Sequence, residues 1–582
     1  MRVKWNIWDV IDKIEEWWPW HDQSTDDKDF NPDLNPVLLV PGIGGSILNA
    51  VDEKGKKERI WVRLFAADHE FRAKLWSFYN PETGKTESLD PTIQIEVPDD
   101  RFGLYGCDIL DPDIILRLDV VYYFHDLIKQ LLSWGYSEGT TLFGFPYDFR
   151  QSNRLPERMQ EFETKLKQMY EASGGKKVDI VSHSMGGLIV KNFLALHPEV
   201  FEKYVNKWIA VTVPFQGAPG FIMDCLLTGV EFVKGWQREL FIAKWSMHQL
   251  ASPLCLWSQL IECPSVYELM ASPHFEWNDV PELRLWHQRV GGNGESECEM
   301  EVFGPKDCIG VMMAALKDNM LEYNGEQVNV PLNRDIMAWA METFRIQKTA
   351  KLPKSVTFYN VFGTELLTPM HVCYGSQESP IQMLQDILRT EADYEFANGD
   401  GTVPAESAMA DELDAKARIG IPGEHRGILN DDRFFRIMKS WLGCDTDPFY
   451  DPLNDYVILP TKAEFEEHKR QRIMISTEGD DTEDLVTDFD ENEDYVMDME
   501  KEYIATISSR TSDTRAEAHA HVTRSRLSVA EKKDCIEIDT VGVAEGADAK
   551  KTATALDQAM AAASEEAIAA NTRGKRATII AR

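Results

Sequence analysis

Residues 178–197 read VDIVSHSMGGLIVKNFLALH, and no loop residue separates their two halves. The β-branched run at the start is typical of a buried strand, and the apolar spacing of the second half is typical of a helix. A sharp turn at Ser184 must therefore join the strand to the helix. Ser182 and Gly186, on either side of the turn, are small enough for the two elements to approach each other closely. The segment predicts one strand–turn–helix unit of an α/β fold.

The same alternation of strands and helices extends on both sides of this unit, over residues 31–462. Short apolar runs, such as PVLLV at 36–40, KWIAVTVPF at 207–215 and VTFYNVFG at 356–363, predict further buried strands. Helical patterns between them favour a mainly parallel sheet. Residues 217–350 are rich in Trp and do not resemble strands, so this region is predicted to form a cap outside the sheet.

Charge and hydrophobicity exclude several classes of protein. The chain has 582 residues, of which 43% are hydrophobic, and this is enough to bury a large core. With 61 Lys and Arg against 97 Asp and Glu, the formal net charge is −36, which argues against a nucleic-acid-binding protein or a polybasic membrane attachment. We therefore expect a soluble, acidic, globular protein with no nucleic-acid partner.

Features that mark secreted or membrane-spanning chains are missing from the sequence. The nine cysteines are irregularly spaced and include no C-x-x-C pair, so neither a disulfide framework nor a zinc ribbon is indicated. There is no N-x-S/T glycosylation site and no uncharged apolar run of roughly 18 residues that could span a membrane. The start, MRVKWNIWDVIDKIEEWW, does not resemble a signal peptide. The expectation is a cytoplasmic protein that is at most peripheral at membranes.

The two ends of the chain differ from the body in composition. Five of the sixteen tryptophans lie in the first twenty residues, and residues 1–30 predict an amphipathic segment. Such a helix could either dock on the body or lie among lipid headgroups, and its acidic polar face argues against tight binding to anionic membranes. Residues 475–500 contain twelve Asp or Glu and no Lys or Arg, so residues 463–582 are predicted to be a disordered acidic tail.

Ser184 lies at a nucleophile elbow, the strand-to-helix turn at which an α/β-hydrolase fold holds a serine hydroxyl exposed. A serine hydroxyl needs a base, the base needs an orienting carboxylate, and this fold supplies them in the chain order Ser, Asp or Glu, His. Asp400 in ANGDGTVP and His425 in GEHRGILND follow Ser184 in that order. The next histidine after His425 is His468, which lies in the charged stretch EFEEHKRQR and is an unfavourable base. Ser184, Asp400 and His425 are therefore predicted to form a catalytic triad.

An oxyanion hole is the third requirement of acyl transfer, because the tetrahedral intermediate carries negative charge on the former carbonyl oxygen. The backbone N–H of Met185, directly after the nucleophile, is one expected donor. The other is expected from PGIGGS at 41–46, where glycines let the backbone approach the site. A phosphate-binding loop is the alternative, but the segment lacks both G-x-G-x-x-G and a following Lys-Ser or Lys-Thr. These groups predict a serine mechanism that needs no metal ion or cofactor.

Eight segments match a known family in chain order: PVLLVPGIGGSIL, RIWVRLF, GCDILDPD, LFGFPYDFRQSN, VSHSMGGLIVKNF, VPFQGAPG, GDGTVP and GEHRGILND. Together they resemble the lecithin:cholesterol acyltransferase family, which includes lysosomal phospholipase A2 and the phospholipid:diacylglycerol acyltransferases. The resemblance covers about residues 31–462 and is strongest to the plant cytosolic branch with phospholipase A activity. It implies that Ser184 is the nucleophile, Asp400 the acid and His425 the base of the triad. It further implies that the backbone amides of Ile43 and Met185 form the oxyanion hole, and that Trp61 is a lid tryptophan that contacts the acyl chain.

Two features depart from the family pattern. The lid, about residues 52–105, contains no cysteine, so other contacts must replace the disulfide that holds the lid in secreted members. The stretch ASPLCLWSQL at 251–260 looks inserted within the cap. Asp148 and Arg150 of YDFR match a family motif, and we interpret them as an ion pair that positions the end of the sheet rather than as catalytic residues.

The resemblance implies an enzyme that transfers acyl groups from glycerophospholipids through an acyl-serine, at a membrane or vesicle surface. Hydrolysis, as a phospholipase A, is the leading hypothesis, because no device for selecting a lipid alcohol over water is readable in the chain. Transfer to a sterol or to diacylglycerol is the alternative. A hydrolase of small water-soluble substrates and a catalytically dead lipid-binding module are disfavoured by the Trp-rich cap and by the complete triad. Calcium is not expected to be required.

Overall fold

The computed structural model describes residues 30–61, 74, 77–88, 90–111, 121–229, 260–290, 296–323, 326–444 and 456–458. The acidic tail 463–582 lies outside the described residues, as do the Trp-rich segment 1–30 and the stretch 251–260 except for their last residues. The boundaries expected for these segments stay predictions. No helix within the described ranges is long and apolar enough to cross a membrane.

Strands and helices alternate along most of the described chain. The strands are β1 Val37–Val40, β2 Leu48–Val51, β3 Lys57–Trp61, β4 Ser77–Asn80, β5 Lys85–Ser88, β6 Gln94–Glu96, β7 Leu142–Gly144, β8 Val178–His183, β9 Val205–Val211, β10 Leu283–Val290, β11 Ser296–Phe303, β12 Met320–Tyr323, β13 Glu326–Asn329, β14 Thr357–Thr364, β15 Leu366–Tyr374, β16 Asp393–Gly399, β17 Ala415–Pro422 and β18 Tyr456–Ile458. The α-helices are α1 His125–Ser133, α2 Pro156–Ala172, α3 Gly186–Leu196, α4 Pro198–Tyr204, α5 Pro219–Thr228, α6 Pro264–Tyr267, α7 Cys308–Ala315, α8 Arg334–Gln347, α9 Ala405–Met409 and α10 Asp432–Trp441.

Seven strands form the central sheet, in the order β18–β17–β14–β9–β8–β1–β7, and every neighbouring pair is parallel. Successive residues of a strand enter two separate apolar clusters, as in β1, where Leu38 packs into one cluster and Leu39 into the other. Both faces of the sheet are therefore covered, which is why these strands are apolar without polar alternation. The arrangement confirms the predicted α/β-hydrolase fold.

The cap region 217–350 differs from its prediction because it contains strands. β10 and β11 form an antiparallel hairpin, and β10 also pairs with β15, which gives a second sheet in the order β11–β10–β15–β16. In β10, Leu283 and Leu285 are buried, whereas Arg284 between them is only half-buried. A strand with one solvated face alternates apolar and charged residues, so a search for continuous apolar runs misses it. The prediction of a region without strands is therefore wrong.

The described part of the lid, within residues 52–105, is held to the body by hydrogen bonds. β4 and β5 form a hairpin in which the backbone N–H of Tyr79 donates to Glu262 Oε2 at 2.8 Å. The Thr86 hydroxyl donates to the Glu262 carbonyl at 2.6 Å. The Thr86 backbone also exchanges two hydrogen bonds with the side-chain amide of Gln151, at 2.9 and 2.6 Å. These contacts supply the non-covalent attachment that a lid without cysteine requires.

The YDFR segment after β7 forms the ion pair expected from the sequence. Arg150 Nε and Nη2 donate to the two carboxylate oxygens of Asp148 at 2.9 and 2.7 Å. Burial raises the pKa of Asp148, but the charge and hydrogen bonds of Arg150 outweigh it, so the net pKa is lowered and the carboxylate stays ionised. Asp148 also accepts a hydrogen bond from Gln151 at 3.2 Å, which links this pair to the attachment of the lid hairpin.

Candidate active site

Ser184 lies on the turn between β8 and α3, where its φ is +53°. This left-handed conformation is unfavourable for a residue with a side chain, so the surroundings must hold it. The N–H of Ser184 donates to the Val211 carbonyl and the N–H of Gly187 to the Ser184 carbonyl, both at 2.9 Å. A Cβ on Gly186 would lie 2.4 Å from the Pro41 carbonyl oxygen, so only glycine lets α3 begin this close to the end of β1.

His425 lies between Ser184 and Asp400 and contacts both. Its Nδ1 is 2.7 Å from Asp400 Oδ2, and its Nε2 is 2.9 Å from Ser184 Oγ. A carboxylate can only accept a hydrogen bond, so Nδ1 carries the ring proton and Nε2 accepts from the serine hydroxyl. Asp400 Oδ1 accepts from the backbone N–H groups of Thr402 and Val403 at 2.9 and 2.7 Å, which hold the carboxylate in place. The structure thus brings the three predicted residues into one hydrogen-bonded chain.

Asp400 and His425 come from loops that follow β16 and β17. The hairpin of β15 and β16, which the sequence analysis does not predict, leaves the end of β14 and returns to it before Asp400. A Cβ on Gly363 of β14 would lie 2.3 Å from Asp400 Cβ, so glycine at this position makes room for the carboxylate. The backbone N–H of His425 donates to the Asp400 carbonyl at 3.0 Å and joins the two loops directly.

The glycine-rich loop 41–46 packs against Ser184, which is 6% exposed as a whole residue. A Cβ on Gly42 would lie 2.6 Å from Ser184 Cβ, so the loop reaches the serine only because residue 42 has no side chain. Within the part of the chain that the structure describes, the backbone N–H groups of Ile43 and Met185 have no hydrogen-bond acceptor. Both belong to residues adjoining this contact, and their role as oxyanion donors stays a prediction.

Trp61, the last residue of β3, is half-buried against the same loop. Its indole Nε1–H donates to the Gly44 carbonyl at 2.7 Å, and its ring meets Phe149 edge to face at 5.4 Å. The indole therefore supports the loop from the side of the lid. Contact between Trp61 and an acyl chain stays a prediction.

Two residues that the sequence analysis does not single out connect the parts of this site. Tyr123 Oη accepts from the Gly42 N–H at 2.7 Å and lies 2.6 Å from His183 Nδ1. His183 Nε2 lies 3.1 Å from the carbonyl oxygen of His425. Burial is the main cause that lowers the pKa of His183 well below its ordinary value, so its ring is neutral near pH 7. The position of His183 directly before Ser184 is a signal present in the sequence, whereas nothing local marks Tyr123.

The groups that meet at the site are a hydroxyl, an imidazole, a carboxylate and backbone amides. Such a set activates a serine for attack on a carbonyl carbon and stabilises the resulting oxyanion. Among the described residues, no group of three or more His, Cys, Asp or Glu side chains is placed to hold a metal ion. The arrangement suits acyl transfer.

The chain is similar to one family of known proteins. The family model described as "Lecithin:cholesterol acyltransferase" matches residues 58–412. "Lecithin-cholesterol acyltransferase-like 4" of Arabidopsis thaliana is 52% identical over 451 residues, which is 77% of this chain and 83% of that protein. "Phospholipase A(1) LCAT3" of the same plant is 49% identical over 417 residues, 71% of this chain and 91% of that protein. "Lysosomal phospholipase A and acyltransferase" of Bos taurus is 30% identical over 204 residues, 32% of this chain and 48% of that protein.

Proposed function

The chain belongs to the lecithin:cholesterol acyltransferase family, and from this membership we propose that it is a phospholipase A that transfers an acyl group of a glycerophospholipid to water. The observation that carries the proposal is the hydrogen-bonded chain from Asp400 through His425 to Ser184, with distances of 2.7 and 2.9 Å. The names of the relatives that are 49% and 30% identical include phospholipase A, which supports phospholipid as the substrate class.

The first half-reaction forms an acyl-serine. Ser184 Oγ attacks the ester carbonyl carbon while His425 Nε2 takes the hydroxyl proton, and the Asp400 carboxylate stabilises the imidazolium. The carbonyl oxygen becomes an oxyanion that accepts from the N–H groups of Ile43 and Met185. When this intermediate collapses, the bond from the acyl carbon to the lysophospholipid oxygen breaks. The leaving oxygen then takes the proton from His425 Nε2.

The second half-reaction releases the acyl group. A water molecule gives a proton to His425 Nε2 as its oxygen attacks the acyl carbon, and the same amides hold the second oxyanion. The bond between the acyl carbon and Ser184 Oγ then breaks, and Oγ regains its proton from the imidazolium. The products are a free fatty acid and the starting enzyme.

The acceptor that reaches the acyl-serine decides between hydrolysis and transfer to a lipid alcohol. An alcohol must compete with water at ~55 M, which requires a closed site that orients the alcohol and excludes water. The β4–β5 lid hairpin is attached by hydrogen bonds, which break and re-form more readily than a disulfide, and this supports access by water. Transfer to a sterol or to diacylglycerol is the second candidate, because one relative is named an acyltransferase as well as a phospholipase A.

Exposed apolar side chains support a phospholipid surface as the place where the enzyme acts. Leu367 in β15 is 73% exposed and Phe396 in β16 is 43% exposed. The antiparallel register places both on one face of the hairpin, and the neighbouring Leu366 forms a backbone bridge with Asp400. The formal net charge of −36 disfavours binding to an anionic surface. A zwitterionic surface such as phosphatidylcholine is therefore the better partner.

The test gives the purified protein phosphatidylcholine vesicles labelled in the acyl chains, with and without a sterol or diacylglycerol, and separates free fatty acid from new ester. We expect mainly fatty acid in every mixture, and no product from Ser184→Ala. If the main product is labelled ester, the enzyme is an acyltransferase and the proposal of a phospholipase A is wrong. The absence of both products from the wild-type protein would contradict an enzyme of phospholipids and favour a lipid-binding module.

The oxyanion in this mechanism is held by backbone amides, so the proposed activity needs no calcium. Addition of EDTA should leave the rate on vesicles unchanged. Loss of activity on chelation, restored by calcium, would contradict the mechanism. A cytoplasmic location stays a prediction from the sequence.

A further inference from the structure

We propose that Tyr123 and His183 are positioning residues that hold the oxyanion loop, residues 41–46, and the His425 backbone in register around Ser184. The proposal rests on the serine mechanism of the proposed function, but not on the identity of its lipid substrate or its acceptor. Neither side chain has a step of its own in that mechanism. Their contribution is to connect the groups that do.

The hydrogen bonds around His183 allow a single arrangement of protons. The His425 carbonyl can only accept, so His183 Nε2, at 3.1 Å, carries the ring proton. A neutral imidazole has one N–H, so Nδ1 accepts, and the Tyr123 hydroxyl donates to it at 2.6 Å. The Tyr123 oxygen in turn accepts from the Gly42 N–H at 2.7 Å. Every hydrogen bond from the Gly42 amide to the His425 carbonyl is thus oriented in the same direction, which strengthens each of them.

The connection runs through the interior of the protein. Tyr123 is 7% exposed and His183 is 2% exposed, so water has little access to replace a missing partner. The two rings pack edge to face with centroids 5.5 Å apart, and the rings of His183 and His425 are 4.9 Å apart. His183 directly precedes Ser184 in the chain. The hydrogen bonds of Tyr123 and His183 therefore connect loop 41–46 to His425 through the residue next to the nucleophile.

Tyr123 also supports the shape of the loop. A Cβ on Gly45 would lie 2.5 Å from Cζ of Tyr123, so the loop backbone rests directly on the phenol ring. Inside the loop, the Gly45 N–H donates to the Gly42 carbonyl at 3.1 Å. A carbonyl and the following N–H point in opposite directions in a trans peptide, so this bond aims the Ile43 N–H away from the turn. With both backbone groups of Gly42 engaged, the peptide that carries the Ile43 N–H has a defined orientation.

Removal of the Tyr123 hydroxyl leaves the Gly42 N–H without this acceptor and loosens the peptide before Ile43. The oxyanion that Ile43 serves is absent from the bound substrate, so the loss should lower kcat and leave KM nearly unchanged. Removing an oxyanion donor outright costs about 10²–10³ in kcat. Loosening the Ile43 N–H by removing the Tyr123 hydroxyl should therefore lower kcat by about 10- to 100-fold.

Three variants separate the two links made by His183. Tyr123→Phe removes the hydroxyl. His183→Gln keeps a donor near the position of Nε2 but no acceptor at Nδ1, whereas His183→Asn keeps an acceptor near Nδ1 but no donor at Nε2. A short-chain, water-soluble ester serves as the substrate, so the result does not depend on recognition of phospholipid.

Tyr123→Phe and His183→Gln should each lower kcat about 10- to 100-fold with KM within about twofold of the wild type. Because both break the same link, the double variant should be no slower than the slower single variant. His183→Asn restores that link and should have a higher kcat than His183→Gln.

Tyr267→Phe is the matched control, because it removes a buried tyrosine hydroxyl with the same bonding pattern in the cap. The Tyr267 hydroxyl donates to the Ile261 carbonyl at 2.7 Å and accepts from the Asn333 N–H at 3.0 Å. We expect this variant to lower the melting temperature and to keep the wild-type kcat. Positioning by Tyr123 is overturned if Tyr123→Phe loses no more kcat than Tyr267→Phe, or if the effects of Tyr123→Phe and His183→Gln multiply in the double variant.

The failure of the proposed function has a different signature. A wild-type protein that hydrolyses the short ester but not phosphatidylcholine would overturn the substrate class and leave the positioning pair testable as described. A wild-type protein that neither hydrolyses the ester nor reacts with a fluorophosphonate at Ser184 would overturn both.

Discussion

Ser184 occupies a backbone conformation that its own side chain disfavours. Its φ of +53° lies in the left-handed region, where a non-glycine residue stores of the order of 1–3 kcal/mol of strain. The hydrogen bonds to Val211 and Gly187 hold the turn in this strained form. A chemical role for the hydroxyl explains why serine, and not glycine, stands at this position.

Two substitutions at Ser184 separate chemistry from strain. Ser184→Ala and Ser184→Gly should both lose on the order of 10⁴–10⁶ in rate, because neither supplies the oxygen of the acyl-enzyme. Glycine adopts a positive φ without strain, so Ser184→Gly should be more stable than Ser184→Ala by about 1 kcal/mol. Vesicle hydrolysis and chemical denaturation measure the two effects. If Ser184→Ala keeps most of its turnover, Ser184 is not the nucleophile. If Ser184→Ala and Ser184→Gly are equally stable, the backbone at residue 184 is not strained.

Asp400→Asn should lower kcat by roughly 10⁴ while leaving the fold intact. The amide oxygen can still accept from the N–H groups of Thr402 and Val403, but an NH₂ group replaces the oxygen that faces His425 Nδ1. This favours the opposite tautomer, in which Nε2 carries the proton and no longer accepts from Ser184. Steady-state kinetics and the melting temperature test the prediction. Activity within about tenfold of the wild type would point to another carboxylate as the orienting group.

Two hairpins outside the central sheet shape the surroundings of the site. The β15–β16 hairpin ends at Asp400 and presents Leu367 and Phe396 to solvent. The β4–β5 hairpin belongs to the lid and is attached through Glu262 and Gln151. Among the described strands β4 and β5 pair only with each other, whereas β15 also pairs with β10, so the β4–β5 hairpin is expected to open before the central sheet does.

Glu262 should give the lid attachment a dependence on pH. Burial raises the pKa of Glu262 above its ordinary value, and the hydrogen bonds from Tyr79 and Asn333 offset this only in part. A carboxyl whose folded-state pKa is raised contributes its full stability below its unfolded pKa, about 4.3, and loses that contribution as the pH rises through the folded pKa. Glu262→Gln cannot ionise, so its Tm minus that of the wild type should increase between about pH 4 and pH 7. A difference in Tm that is constant over this range would contradict the prediction.

The described fold extends from residue 30 to residue 458, and its central sheet ends with β18. The chain that follows changes composition, with twelve acidic residues and no basic ones between 475 and 500. From this composition we predict that the segment buries too little apolar surface to offset the entropy of ordering it. The catalytic unit is therefore expected to be complete without it.

A chain ending after residue 465 should hydrolyse phosphatidylcholine vesicles at a rate within about twofold of the full chain, because it retains the whole described sheet. Its melting temperature should also be unchanged. Fluorophosphonate labelling of Ser184 in both chains normalises the rates to the amount of folded enzyme. An insoluble or inactive shortened chain would show that residues beyond 465 belong to the folded enzyme.

Local patterns were sufficient for four of the seven central strands, β1, β8, β9 and β14, and for singling out Ser184, Asp400 and His425 as candidates, but they did not predict β7, β17 or β18. Buried parallel strands are continuous apolar runs, and a sharp turn between small residues can be recognised from a few neighbouring positions. The same approach missed β10 and β11, because a half-solvated strand mixes charged and apolar residues. It also gave no sign that loop 41–46 packs against Ser184, because the two segments are far apart in the chain.

The contacts that complete the site exist only in the folded chain. Gly42 and Tyr123 are 81 positions apart, and His183 and the His425 carbonyl are 242 positions apart, yet each pair is joined by one hydrogen bond. Periodicity and turn chemistry act over a few residues, whereas these partners meet because the parallel strands place distant loops at one edge of the sheet. Packing around Ser184 then decides which side chain faces which backbone group. These contacts cannot be predicted from the order of the residues in the chain.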